Sequence, residues 1–337
     1  MLNVRGKAPV VTRQMLVFAA LLLTYPLWAG AVGLYEYLGI EIAIFILYAL
    51  GFNLLFGYTG LPSFGHGAFL GVGAYAYGLA QIHFNAGFLP GLLIAIAAGA
   101  VASGIVACFL AHRRGIYFAL MTIAFGQVFW FLAIKLHAVT GGEDGLLNIF
   151  RPNLHLGFAE ISLKSNLTLF YAVATMLLLV ILLLWRLVHS PFGAAIQAIR
   201  MNEPRARFIG YRVWLVKWTV FTLSGAIAGL AGGLFSLAQE SAYPDVMSLH
   251  ASGLVVMMTL IGGGFVSFWG PVVGVIVYFL ARDVLGSVTE AWLLWYGLLF
   301  MGVMMFEPEG VAGAWGRLAR HWRPRQAQPV KPAEVAK

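Results

Sequence analysis

Apolar residues run along the chain in long segments that short polar stretches separate. A helix that spans a bilayer needs about 20 predominantly apolar residues, and ten segments approach that length. They lie near Met15–Leu34, Leu38–Phe56, Ala68–Ile82, Leu89–Ala111, Ile116–His137, Leu167–Leu187, Trp214–Ala238, Ala251–Phe265, Gly270–Leu285 and Ala291–Phe306. The third and the eighth are short and interrupted by glycine, which indicates partial or kinked spans. The pattern predicts an all-α, polytopic membrane protein with about ten transmembrane or partial helices.

Composition supports a membrane protein and argues against nucleic-acid binding and against cysteine-based sites. The chain is 61% hydrophobic and 10% charged, whereas soluble domains are about half apolar and a quarter charged. Its net charge of +8 is spread over the ends of the apolar segments, so we expect no nucleic-acid binding. Cys108 is the only cysteine, which excludes an intrachain disulfide and a cysteine-pair metal site.

The basic residues predict how the chain is oriented. If the N-terminus is cytoplasmic, 17 of the 21 lysines and arginines lie on the cytoplasmic side, as the positive-inside rule requires. Both termini are then cytoplasmic. This topology divides the chain into a cytoplasmic N-terminus (1–14) and a transmembrane domain (15–313) that includes a periplasmic loop (138–166). A basic cytoplasmic tail (314–337), rich in Arg, Pro and Gln, is predicted to be disordered.

The longest polar interruption is the basic loop, Ser190–Lys217, which carries five basic residues and one acid, Glu203. Its pattern predicts two short helices. The second would start at Asn202-Glu203-Pro204, with a capping side chain before a proline, and Gly210 would close it in a left-handed conformation. An ordinary loop that membrane topology makes basic is the alternative. The helix-break-helix pattern favours a docking element.

Two glycine-rich segments resemble each other: Gly57–Tyr75 and Gly262–Tyr278. They predict an internal repeat with broken helices near the bilayer midplane, although so short a match could also be compositional. Broken backbone at that depth is tolerated where it is buried in protein or lines a watery cavity, and paired breaks point to a translocation path. Tight helix packing through small residues is the alternative for most of the glycines. The predicted pathway residues are Ser63, Phe64, Gly65, His66, Gly67, Gly263, Gly264 and Ser267.

No catalytic constellation or metal site is predicted. The chain lacks the G-x-x-x-x-G-K-[ST] phosphate loop, so it does not hydrolyse a nucleotide by that route. Few ionisable residues lie within the spans, although ion-coupled carriers usually need them. We therefore expect energy to arrive from a separate protein through the basic loop.

Four stretches, in this order, resemble the branched-chain amino acid type of ABC-importer permease, specifically the larger of its two homologous permeases. They are GYTGLPSFGHGAFLGVGAY from Gly57, and then Arg114–Gln127, Thr140–Leu146 and Ser190–Val213. The resemblance implies a non-enzymatic subunit of the bacterial inner membrane that moves branched-chain or related neutral amino acids. It also implies a second permease, a periplasmic binding protein and two ATP-binding cassette subunits that use ATP and Mg.

The resemblance assigns residues 190–213 to a cytoplasmic coupling loop. Glu203 and Gly210 correspond to the glutamate and glycine of the motif that docks on the ATPase, and Ala206 matches its small residue. Arg205 and Arg207 depart from the small or acidic residues of that motif. With Asn202 they complete the predicted ATPase-coupling residues. Urea, short amides or sugars are alternative cargoes, and a self-sufficient channel or secondary carrier is the rival architecture.

Overall fold

The computed structural model describes residues 12–155 and 160–321, and within them the chain is predominantly helical. The α-helices are α1 (Arg13–Leu23), α2 (Tyr25–Trp28), α3 (Glu36–Phe56), α4 (Gly67–Phe84), α5 (Phe88–Leu110), α6 (Gly115–Lys135), α7 (His137–Thr140), α8 (Asn166–Val188), α9 (Pro191–Met201), α10 (Glu203–Phe208), α11 (Val213–Gln239), α12 (Leu249–Gly262), α13 (Gly270–Val288), α14 (Trp292–Phe306) and α15 (Gly310–His321). Short 3-10 helices form at Gly30–Val32, Gly142–Asp144 and Pro244–Met247. Strands β1 (Asn153–His155) and β2 (Glu160–Ser162) pair antiparallel, with Leu154 opposite Ile161.

In the described part of the chain, six helices are long and apolar enough to cross a membrane: α3, α5, α6, α8, α11 and α13. Helices α1, α12 and α14 are apolar but shorter, and at 1.5 Å per residue the 14 residues of α12 extend about 21 Å, less than a bilayer core. The prediction of a polytopic helical membrane protein with full and partial helices is confirmed.

The first predicted span is wrong as a continuous helix. Helix α1 ends at Leu23, and Thr24 bonds through its hydroxyl to the Ala20 carbonyl at 2.7 Å. Pro26 then starts the separate helix α2, because proline has no N–H to continue the helical ladder of α1. Gly33 closes the following turn with φ of +82°. The chain therefore reaches α3 through short pieces rather than through one span.

Helix α11 forms the centre of the bundle and packs against α3, α4 and α5. Glycines allow this close approach: a β-carbon at Gly229 would meet the Ala95 carbonyl oxygen and lie 3.0 Å from the Gly99 α-carbon. Ser103 and Gly225 meet in the same way one turn away. Small residues at helix contacts replace the hydrophobic driving force that is missing in lipid, so for these glycines the structure favours packing.

We expect Gly229→Val to destabilise the bundle by about 3 kcal/mol, the upper part of the usual range for overpacking, because the atoms that it meets are helix backbone. Gly297→Val is the matched control, since no atom lies within 4 Å of a β-carbon placed there. Thermal unfolding of the detergent-solubilised chain measures both. Equal unfolding temperatures for the two variants would contradict this packing.

The segment predicted to be the periplasmic loop is structured and is fixed to the end of α11. It contains α7 and the small sheet, and its Leu146 forms an antiparallel bridge with Ala242. Arg151 pairs with Glu240 at 3.1 Å and donates to the Ala238 carbonyl. At this same end of α11, Gln239 lies 3.5 Å from Glu41, whose carboxylate pairs with Arg282 of α13 at 2.5 Å.

The predicted disordered tail is wrong at its start. Helix α15 continues to His321, so residues 314–321 are helical, and residues 322–337 lie outside the described ranges. The Arg, Pro and Gln content of the last residues dominated the prediction and concealed a helix that follows Pro308. At the other end, α1 begins at Arg13 with the Thr12 hydroxyl as its cap, and residues 1–11 of the predicted cytoplasmic N-terminus also lie outside the described ranges.

Candidate functional site: the basic loop and the two glycine-rich segments

The basic loop folds as the two short helices that its sequence predicts. Ser190 caps α9, and the Asn202 side-chain oxygen accepts a hydrogen bond from the Arg205 amide at 2.9 Å, capping α10. Gly210 follows α10 with φ of +100° and bonds through its amide to the Arg207 carbonyl at 3.0 Å. Both the capping role of Asn202 and the left-handed conformation of Gly210 are confirmed.

Glu203 turns inward and binds three basic residues. Its carboxylate lies 2.7 Å from Lys217 Nζ, 3.1 Å from Arg114 Nε and 3.5 Å from Arg207 Nη2. The side chains of Glu203 and Lys217 are only 9% and 2% exposed, and Lys217 also donates to the Arg113 carbonyl. We call these four side chains the Glu203 cluster. One carboxylate therefore joins α10 to α11 and to the turn between α5 and α6.

Phe208 and Ile209 form an exposed apolar tip on the basic loop. Phe208 is 92% exposed and Ile209 is 70% exposed, whereas Ala206 is buried with Ile199 and Val213. Of the predicted coupling residues, Asn202, Arg205, Arg207 and Gly210 are exposed, and Glu203 and Ala206 are buried. Sequence reasoning missed Phe208 and Ile209. Their signal is an apolar pair inside a polar loop, directly before the glycine.

Arg200 of α9 connects the basic loop to both glycine-rich segments. Its Nη1 atom donates to the carbonyl oxygens of Gly57 and Phe265, and its guanidinium carbon lies 5.2 Å from the centre of the Phe265 ring. Burial lowers the pKa of Arg200, but arginine starts so high that it stays charged. A cavity of about 230 Å³ beside Arg200 is also lined by the predicted pathway residues Gly264 and Ser267.

We expect Arg200→Gln to loosen both glycine-rich segments, because a charge-assisted donor shared by two carbonyls is lost. A hydrogen bond to a charged group contributes about 1.5–3 kcal/mol, and the lower part of this range fits a half-buried guanidinium. Hydrogen exchange of the Gly57 and Phe265 segments measures the effect, with Arg200→Lys as the variant that keeps the charge. Unchanged exchange in Arg200→Gln would contradict the connection.

The first glycine-rich segment enters the bundle, where hydroxyl groups satisfy its backbone. The Gly67 amide donates to Ser252 Oγ at 3.0 Å, and the Phe64 amide donates to Thr122 Oγ1 at 3.1 Å. His66 is fully buried, and its Nε2 atom lies 3.2 Å from the Ser224 hydroxyl. Backbone groups freed at membrane depth need such partners. Ser63, Gly65, His66 and Gly67 are thus buried within this chain, and Phe64 is partly exposed.

The second glycine-rich segment is a tight turn between α12 and α13. Gly262 and Gly274 are so close to the opposite backbone that a β-carbon at either would overlap it. Gly263 and Gly264 are buried, and Ser267 is partly exposed. The two segments meet at Gly57, where a β-carbon would lie 2.7 Å from the Gly264 carbonyl oxygen. The structure thus brings Gly264 and Ser267 to Arg200 and places His66 apart from them. The pathway assignment stays a prediction.

A further break lies before α12, and sequence reasoning missed it. Residues 240–248 turn back into the bundle, where Val246 and Met247 contact Gly67 and Gly71 of α4. The first turns of α4 and α12 therefore meet, at the hydrogen bond between Gly67 and Ser252. Pro244 was the available signal, because proline often starts a new helical turn. The break at residues 240–248 therefore lies beside the start of α4 in the bundle.

Comparisons with known proteins agree with the sequence resemblance. The family model described as "Branched-chain amino acid transport system / permease component" matches residues 34–307. The high-affinity branched-chain amino acid transport system permease protein LivM of Escherichia coli is 30% identical over 289 residues, which cover 80% of this chain and 67% of the relative. The probable branched-chain amino acid transport permease protein LivH of Methanocaldococcus jannaschii is 28% identical over 82% of this chain and 91% of the relative.

A more distant relative is a sugar permease. The ribose import permease protein RbsC of Bacillus subtilis is 33% identical over 31% of this chain and 34% of the relative. No solved structure matches the chain significantly. The match across residues 34–307 takes in α3 to α14 and the whole basic loop. The chain belongs to the family of branched-chain amino acid transport system permease components.

Proposed function

We propose that this chain is the membrane-spanning permease subunit of an ATP-driven importer, and that it translocates branched-chain or related neutral amino acids delivered by a periplasmic binding protein. The names of its relatives support this cargo, since the amino-acid permeases match about four fifths of the chain. A sugar cargo has weaker support, because the ribose permease matches less than a third of it.

The proposed complex contains a homologous second permease and two ATP-binding cassette subunits, which bind ATP and Mg. A second permease is supported because relatives named LivM and LivH from one organism both match this chain. The complex would lie in a bacterial inner membrane with both termini of this chain cytoplasmic. Gln14 of α1 supports that topology, since it lines the cavity beside Arg200 and therefore lies at the same end as the basic loop.

The observation that carries the proposal is that the basic loop exposes an apolar tip while its other side is joined to the long helices. Phe208 and Ile209 point into solvent, and the Glu203 cluster joins the same loop to α11 and to the turn between α5 and α6. Movement of a protein bound to Phe208 and Ile209 would thus be transmitted to the membrane helices. Domain closure in the ATPases would reach these helices as rigid-body motion.

The test is ATP-dependent uptake of labelled leucine into proteoliposomes that contain this chain, its second permease, the ATPases and the binding protein. We expect uptake to vanish when the ATPases or the binding protein are omitted. Coupled ATP hydrolysis without leucine movement would retain the architecture and overturn the cargo, and labelled ribose would then be tried. Uptake by this chain alone would overturn the importer and indicate a channel or carrier.

A further inference from the structure

A second cavity lies where the basic loop meets the first turn of α11. Its volume is about 370 Å³, and neither the Glu203–Lys217 pair nor the exposed tip lines it. The residues that line it are Arg207, Tyr211, Arg212, Val213, Trp214 and Leu215. Half of the lining therefore comes from the basic loop before α11 and half from a helix that is long and apolar enough to span the membrane.

The loop side of the cavity carries excess positive charge. Within the described part of the chain, the Arg212 guanidinium has no ion-pair or hydrogen-bond partner. Arg207 pairs with Glu203, but that carboxylate is shared with Lys217 and Arg114. Guanidinium groups bind phosphate through parallel N–H donors. The cavity is thus suited to a phosphate group that Arg207 and Arg212 reach together.

The helix side of the cavity has the features of a membrane–water boundary. The Trp214 ring stacks with Trp218 at 6.5 Å and lies 6.0 Å from the ring of His112, in the turn that follows α5. Tryptophan and tyrosine concentrate at the level of lipid headgroups. Beside α11, Ile105 and Phe109 of α5 are exposed one turn apart. The two helices are joined there by the hydrogen bond from Trp218 to the Gly104 carbonyl at 3.0 Å.

We propose that this cavity binds the phosphate of an anionic phospholipid, whose acyl chains lie along the exposed apolar surface of α5. A lipid fits this place because the cavity with two arginines lies next to an exposed apolar surface. An acidic protein segment would satisfy the arginines but would not need the exposed apolar residues of α5. Because Arg207 belongs to the Glu203 cluster as well, the lipid would lie directly beside the joint between the basic loop and α11.

The experiment is native mass spectrometry of the purified full-length chain with phosphatidylglycerol or phosphatidylcholine of identical acyl chains. We expect selective retention of phosphatidylglycerol. Arg212→Gln should weaken it about fivefold, since a basic side chain at an anionic bilayer surface contributes about 1 kcal/mol. Arg205→Gln is the matched control, because Arg205 is exposed on α10 but does not line the cavity. It should leave phosphatidylglycerol binding unchanged.

Several results would overturn the proposal. Equal retention of the two lipids, or equal losses in Arg212→Gln and Arg205→Gln, would show general charge attraction in place of a site. Complete displacement of phosphatidylglycerol by millimolar inorganic phosphate would show an anion site to which the acyl chains contribute nothing. Unchanged lipid binding in Arg212→Gln, with loss of ATPase capture, would assign the cavity to a protein partner.

Discussion

Replacing Glu203 with glutamine is expected to lower both stability and uptake, because Lys217 would stay buried without its carboxylate. Breaking one side of a buried ion pair costs about 3–5 kcal/mol. Lys217 is 2% exposed and lies 2.7 Å from the carboxylate, whereas Arg114 and Arg207 are more than half exposed and lose little. We expect a destabilisation of about 3 kcal/mol and a loss of uptake of at least tenfold, measured by thermal unfolding and leucine transport.

The double variant Glu203→Gln with Lys217→Met decides what Glu203 does. Removing both charges of a buried pair often costs little, so we expect stability and much of the uptake to return. A double-mutant cycle isolates the pair in this way. If Glu203 instead contacts the ATPase, as the family motif alone implies, the double variant would regain stability but remain inactive. That outcome would contradict the inward role that the structure gives this carboxylate.

Replacing both Phe208 and Ile209 with alanine is expected to abolish capture of the ATPases while leaving the fold intact. The two side chains are almost free of intramolecular packing, so their loss should change the unfolding temperature little. Exposed aromatic anchors in an interface often contribute 2 kcal/mol or more, which corresponds to an affinity reduced about thirtyfold or more. ATPase binding to the reconstituted permease pair measures it.

Phe84→Ala is the matched control for this variant. Phe84 is also highly exposed, but it ends α4, whose last third lies against Ile149 of the predicted periplasmic loop. It should bind the ATPases normally. Full ATPase capture by the double alanine variant would remove Phe208 and Ile209 from the docking surface and leave the other exposed candidates, Asn202, Arg205, Arg207 and Gly210.

Local signals explain which parts of the basic loop could be predicted. The Asn202 cap and the Gly210 turn depend on neighbours within a few residues, and both form as expected. The direction of Glu203 depends on Arg114 and Lys217, which reach it only through the packing of α5, α6 and α11. A single sequence has no signal for such a tertiary contact. The motif therefore identified a residue of the right loop without showing that it faces inward.

The same distinction applies to the spans. Apolar length predicted the six long helices, because bilayer thickness sets that length directly. It failed at Pro26, where a separate helix, α2, starts inside the first predicted span, and it gave no sign of the short 3-10 helix that begins at Pro244. The glycine-rich segments were located correctly as breaks, but the helices that pack against them could not be predicted. Whether a glycine packs or lines a path depends on the opposite helix, and that helix is distant in sequence.

Helix α11 connects the basic loop to the opposite end of the bundle as one continuous helix. It carries Lys217 in its second turn and Gln239 as its last residue, and its 27 residues measure about 40 Å at the usual rise. It contains no proline, so it lacks the commonest cause of a sharp kink. A tilt of about 5° at the Lys217 end would carry Gln239 roughly 3 Å over that length, enough to separate it from Glu41. The contact between Gln239 and Glu41 would then open and close as the basic loop moves, because one helix carries both Gln239 and Lys217.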